Sequence, residues 1–85
     1  MEVIEMQLEE HLLVYPEGDE QEIDTPLRFN QLVGLNGVPV QLPLPSAKTI
    51  VYRVYKVSRR EKKGETLTYY HLELVTGEEL RSLAD

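Results

Sequence analysis

Residues 49–58 and 66–75 constrain this chain more than any other part of it. The first segment reads Thr49-Ile50-Val51-Tyr52-Arg53-Val54-Tyr55-Lys56-Val57-Ser58, the second Thr66-Leu67-Thr68-Tyr69-Tyr70-His71-Leu72-Glu73-Leu74-Val75. Both are dense in β-branched and aromatic residues, which pack better on a pleated surface than on a helix. The polar stretch 59–65 between them contains Gly64. Two such runs around a polar, glycine-bearing turn predict a β-hairpin.

Placing Ser58 opposite Thr66 pairs Val54 with Tyr70, Tyr52 with Leu72 and Ile50 with Leu74. Ile50, Tyr52, Val54, Tyr70, Leu72 and Leu74 then form the expected core face. The other face carries Val51, Arg53, Tyr55, Val57, Leu67, Tyr69, His71 and Glu73. On it Tyr55 is expected opposite Tyr69, and Arg53 opposite His71 with Glu73 diagonal to it. A slip of one residue would turn Arg53 and His71 into the core, so the pattern favours this register.

The rest of the chain is read around that hairpin. Residues 3–15 alternate Ile4, Met6 and Leu8 with Glu5, Gln7 and Glu9, as a half-wet strand does. Leu12 and Val14 keep the parity and Glu10 breaks it, which predicts a bulge or tight bend near Glu9, Glu10 and His11. A helix is the alternative there, since Ile4, Leu8 and Leu12 also fit a four-residue spacing. Residues 16–26 hold a proline at each end and several acids, and read as an acidic, mobile loop.

Residues 26–35 fit either a strand or a helix, with Asn36-Gly37 as a helix stop or a type I′ turn. Residues 38–45 alternate Val38, Val40, Leu42 and Leu44 with Pro39, Gln41 and Pro43. Proline donates nothing to a ladder, so this must be an edge strand or a polyproline-like stretch with its proline face outward. Thr76-Gly77-Glu78-Glu79 has the capping-box spacing, and a short helix over 77–84 with Leu80 and Leu83 on one face follows.

With 85 residues, the chain is read as one domain with a small core, since folding at this size buries little more than ~60% of the unfolded surface. The fold expected is mainly β. It is a small partly open barrel or rolled antiparallel sheet of about five strands, SH3-like or OB-like in size, with a short C-terminal helix.

There is no cysteine. That removes disulfides, zinc–thiolate sites and thiol nucleophiles. A small domain without disulfide staples, an acidic start and no apolar run of membrane-spanning length predicts a cytoplasmic protein. His11 and His71 lie in different elements with no ligand at metal spacing, so no metal is expected. The acids of 16–26 lack the ligand alternation of a calcium loop. No serine lies in a nucleophile-elbow context, and no glycine run cradles phosphate. The reading is therefore not an enzyme, with no cofactor.

Charge is distributed in blocks. Residues 1–24 hold nine acids and no Lys or Arg, 25–63 hold eight Lys or Arg and one acid, and 64–85 hold five acids and one Arg. The simplest meaning is complementarity within the fold. Two candidate surfaces remain. Arg53, Tyr55, Tyr69 and His71 on the second hairpin face suggest a protein-binding patch, for an unknown partner or a homodimer, since Tyr and Arg concentrate binding energy. Arg53, Lys56, Arg59, Arg60, Lys62 and Lys63 offer the alternative of nucleic-acid binding, phosphates on the cations and bases on the tyrosines. The net charge of −6 weighs against the second reading, because phosphate binding is electrostatic and salt-sensitive.

Overall fold

The computed structural model describes residues 8–84. Five strands form one sheet: β1 (Leu8–Val14), β2 (Glu20–Ile23), β3 (Leu32–Val33), β4 (Tyr52–Lys62) and β5 (Glu65–Leu74). A helix, α1 (Gly77–Ala84), closes the chain. The strand order is β2-β1-β5-β4-β3. The sheet curls into a half-barrel. Three pairings are antiparallel as expected, but β1 and β5 run parallel. A parallel pair needs a long connection. Residues 15–64 supply it, and β2, β3 and β4 are built within it.

The hairpin forms, with a longer first strand and a different register. Residues 59–62 continue β4, so the turn shrinks to Lys63 and Gly64, with Gly64 at φ 75°. Tyr52 pairs with Leu74, Arg53 with Glu73 and Val54 with Leu72. Beyond a bulge at Tyr55, Lys56 pairs with His71 and Ser58 with Tyr69. The proposed partners were therefore two residues out on one side of the bulge and three on the other. Ile50 and Leu74, read as core, are half exposed at 50% and 51%, while Val51 and Val75 are buried. Composition alone carries no sign of a bulge, so a register drawn without one misses on at least one side of it. Val51 and Val75 are buried because the other face carries a core of its own.

The sheet has a small core on each side. Leu13, Leu27, Val33, Val54, Tyr70 and Leu72 make the first, with Tyr15, Ile23 and Tyr52 packed against it. Leu44, Val51 and Val75 make the second, covered by Leu80, Leu83 and Ala84 of α1 together with Leu32 and Val40. Strand alternation follows from this: Leu13, Tyr70, Leu72 and Val54 share one face, and Leu12, Val14, Tyr69 and His71 the other.

In β1 the fully buried residue is Leu13, on the parity read as wet. The ladder from Leu8 to Val14 is continuous, with no bulge at Glu10. Ile4 and Met6 lie outside the described residues. The acidic stretch 16–26 contains β2, whose Gln21 and Ile23 turn inward while Glu20 and Glu22 point out. Residues 26–35 are mostly irregular and hold only the short β3. Asn36 and Gly37 both take positive φ, 64° and 74°, as a type I′ turn demands. A side chain at Gly37 would also meet Leu13 at 3.3 Å. Pro39 and Val40 line the outer edge of β3, through a bridge to Val33 and a bond from the Val40 amide to the Leu32 carbonyl. The Glu79 carboxylate pairs with Arg53 instead of reaching back to cap its own helix.

Candidate functional site

The bulge builds the site. At Tyr55 β4 has one residue more than β5, so Tyr55 and Lys56 together face His71. The ring of Tyr55 lies 6.3 Å from that of His71, and the ring of Tyr69 lies 6.5 Å from it. Ser58 Oγ is 2.9 Å from His71 Nε2 and fixes the imidazole. Ser58, Tyr69 and His71, with Val14, Glu20, Arg59 and Arg60, line a shallow depression of about 400 Å³.

Of the patch read from the sequence, the structure brings Tyr55, Tyr69 and His71 together. Arg53 is engaged elsewhere. It bonds Glu73 at 3.3 Å and also pairs with Glu79, tying α1 to the hairpin. The basic run is divided in the same way. Lying in strand and not in a turn, it alternates: Lys56, Arg60 and Lys62 share the face of His71, Arg59 points to the opposite face, and Lys63 sits in the turn.

The topology adds residues that sequence reasoning missed. The parallel pairing sets Val14 beside His71 and Leu12 beside Tyr69, and β2 adds Glu20 and Glu22 beyond them. At the height of Leu12 and Val14 the order across this face is acidic on β2, apolar on β1, aromatic on β5 and basic on β4, with Glu10 and Glu65 farther along it. The alternation of Glu20 and Glu22 with Gln21 and Ile23 was a signal for a strand in the acidic stretch. Nothing local in the sequence announces a parallel neighbour.

The opposite face holds a smaller polar recess of about 220 Å³, lined by Glu9, His11, Arg59, Glu61, Thr66 and Thr68. His11 Nδ1 lies 2.9 Å from the Tyr70 hydroxyl, and the two rings stack at 5.8 Å. The two histidines thus occupy opposite faces. Ser58 and His71 supply two groups of a nucleophile–base–orienter set. Among the described residues no carboxylate hydrogen-bonds the remaining nitrogen of His71. Nor do three or more His, Asp or Glu cluster there as a metal would need. No helix is long and apolar enough to cross a membrane, among the described residues.

No curated protein and no solved structure matches this chain. A family model does match over residues 7–83, nearly the whole length, and the chain belongs to the family described as uncharacterised Treponema protein.

Proposed function

We propose that this domain is a non-catalytic protein-interaction module that docks a protein partner on the sheet face of Tyr55, Tyr69 and His71. The observation that carries the reading is the ring cluster around the 400 Å³ depression, with Glu20 on one wall and Arg60 on the other. Aromatic side chains on a rigid strand offer large contact area at little entropy cost, and charged groups at the rim set orientation. Tyr55 is 48% exposed, so its ring has apolar surface left to bury.

Nucleic-acid binding is the second reading. It is favoured by the row Lys56, Arg60 and Lys62 on the face that also carries Tyr69. Loss of Arg53 to its ion pairs and the acids of β2 on that same face favour the protein reading.

In-cell cross-linking of the tagged chain tests the proposal. Tyr55→Ala with Tyr69→Ala should remove the cross-linked protein species, while Leu42→Ser, a change at an exposed residue outside the lining of the depression, should keep them. Species that survive the double substitution would refute it. Salt-resistant binding of labelled single-stranded RNA, lost in Arg60→Glu, would move the assignment to nucleic acid.

A further inference from the structure

Building on that reading, we infer that the partner on this face is a second copy of the chain, packed sheet to sheet about a two-fold axis parallel to the strands. The argument rests on the order of chemistry across the face. Glu20 and Glu22 lie on β2, Val14 and Leu12 on β1, His71 and Tyr69 on β5, and Lys56 and Arg60 on β4. The four strands are hydrogen-bonded neighbours in that sequence. At the height of Val14 and Leu12, charge therefore changes sign from one edge of the face to the other, with apolar and aromatic groups between. Farther along the strands the same face carries Glu10 beside Leu67 and Glu65 beside Leu8.

A face polarised in this way is complementary to itself. A two-fold axis between β1 and β5 places the acidic edge of one copy over the basic edge of the other. At the same height along the strands, Glu20 meets Lys56, Val14 meets His71, and Leu12 meets Tyr69. The contact is isologous and closes at two subunits. Stacked sheets sit ~10 Å apart, within which these side chains interdigitate. Glu22 comes level with Ser58, diagonal to both Lys56 and Arg60. Glu20, Glu22, Lys56 and Arg60 are all exposed in the single chain, within reach as long side chains at the rim.

The size of the face sets the strength. Four strands span ~19 Å and seven residues of β1 ~23 Å, a projected area on the order of 400 Å². Specific stable interfaces bury ~800 Å² per partner, so this dimer belongs with the weak, concentration-dependent ones. Its charge pairs lie at the rim, where salt screens over ~8 Å at physiological strength. Added salt should weaken it.

A charge exchange tests the inference. Sedimentation equilibrium on the purified chain at rising concentration should show a monomer–dimer equilibrium. The variant Glu20→Arg with Glu22→Arg, and separately Lys56→Glu with Arg60→Glu, should each weaken self-association by ~10-fold or more. Circular dichroism should show both still folded, since all four sites are exposed. Mixing the two variants restores opposite charges at both rims and should recover a heterodimer of wild-type strength. A wild-type chain that stays monomeric at ~1 mM overturns the inference, as does a dimer indifferent to both reversals or a mixture that fails to recover. If only the self-association fails while the tyrosine variant still loses its cross-linked species, the interaction reading stands with a different protein as partner. If the tyrosine variant loses nothing, that reading falls too.

Discussion

The ring of Tyr55 stands 6.3 Å from that of His71 because β4 spends two residues where β5 spends one. Without the bulge, Tyr55 would have no place on this face. Val54 already faces the first core opposite Leu72, and Lys56 already faces outward opposite His71. The surplus residue is thus the one that carries the exposed ring.

Deleting Tyr55 should therefore leave a regular ladder with every other residue on its present face. Urea unfolding should show a stability change within ~1 kcal/mol, since neither core loses a side chain. Cross-strand NOEs between Val54 and Leu72 and between Lys56 and His71 should persist. Loss of the fold would mean the bulge itself holds the sheet's curvature.

Burial at the foot of the hairpin separates Val51 from Ile50. Val51 is fully buried and Ile50 half exposed. Val51→Ala should cost ~2 kcal/mol in thermal or urea unfolding through lost burial and the space it leaves. Ile50→Thr should cost less than ~0.5 kcal/mol. Equal losses would mean that the second core does not hold Val51.

Arg53 links Glu73 on β5 to Glu79 on α1. Its side chain is partly exposed, so solvent screening limits what the pairs contribute. Arg53→Met should destabilise the protein by no more than ~1 kcal/mol, with the loss shrinking as salt is added. Hydrogen exchange should rise mainly in α1, where Glu79 loses its anchor. Uniform loss of protection would show that Arg53 supports the whole sheet.

Burial holds the Tyr52 phenol above its ordinary pKa of 10.0, and the charges of Glu17 and Tyr15 push in the same direction. The folded chain then binds this proton more tightly than the unfolded one. The stability linked to it is present below pH ~10 and declines as pH rises through the folded-state value. Tyr52→Phe should flatten the alkaline limb of a stability–pH curve and leave neutral pH almost unchanged. An unaltered limb would assign it to other groups.

Much of the fold was legible locally. The hairpin, the Asn36-Gly37 turn, the proline-lined edge and α1 each rest on residues within a few positions of one another. Their signals are stiff β-branched side chains, left-handed turn residues, a missing amide and a helical apolar spacing. β2 was overlooked because its acids outweighed the alternation of Gln21 and Ile23. Leu13 was assigned to the wet side because β1 was read as a strand with a single buried face, whereas Leu13 packs in the first core and Leu12 and Val14 are half-buried on the other side.

The sequence by itself determined that the chain would be mainly β, that residues 49–75 would form a hairpin, and that tyrosines and a histidine would share an outward face. Those outcomes follow from side-chain stiffness and period-two alternation, which act along the chain. Only the tertiary structure decided the bulge at Tyr55, the parallel pairing of β1 with β5 and the diversion of Arg53 to Glu73 and Glu79. Each of these depends on which strand lies beside which. That choice is made by burying two small cores at once, and the acidic-to-basic order across the Tyr69 face is its consequence.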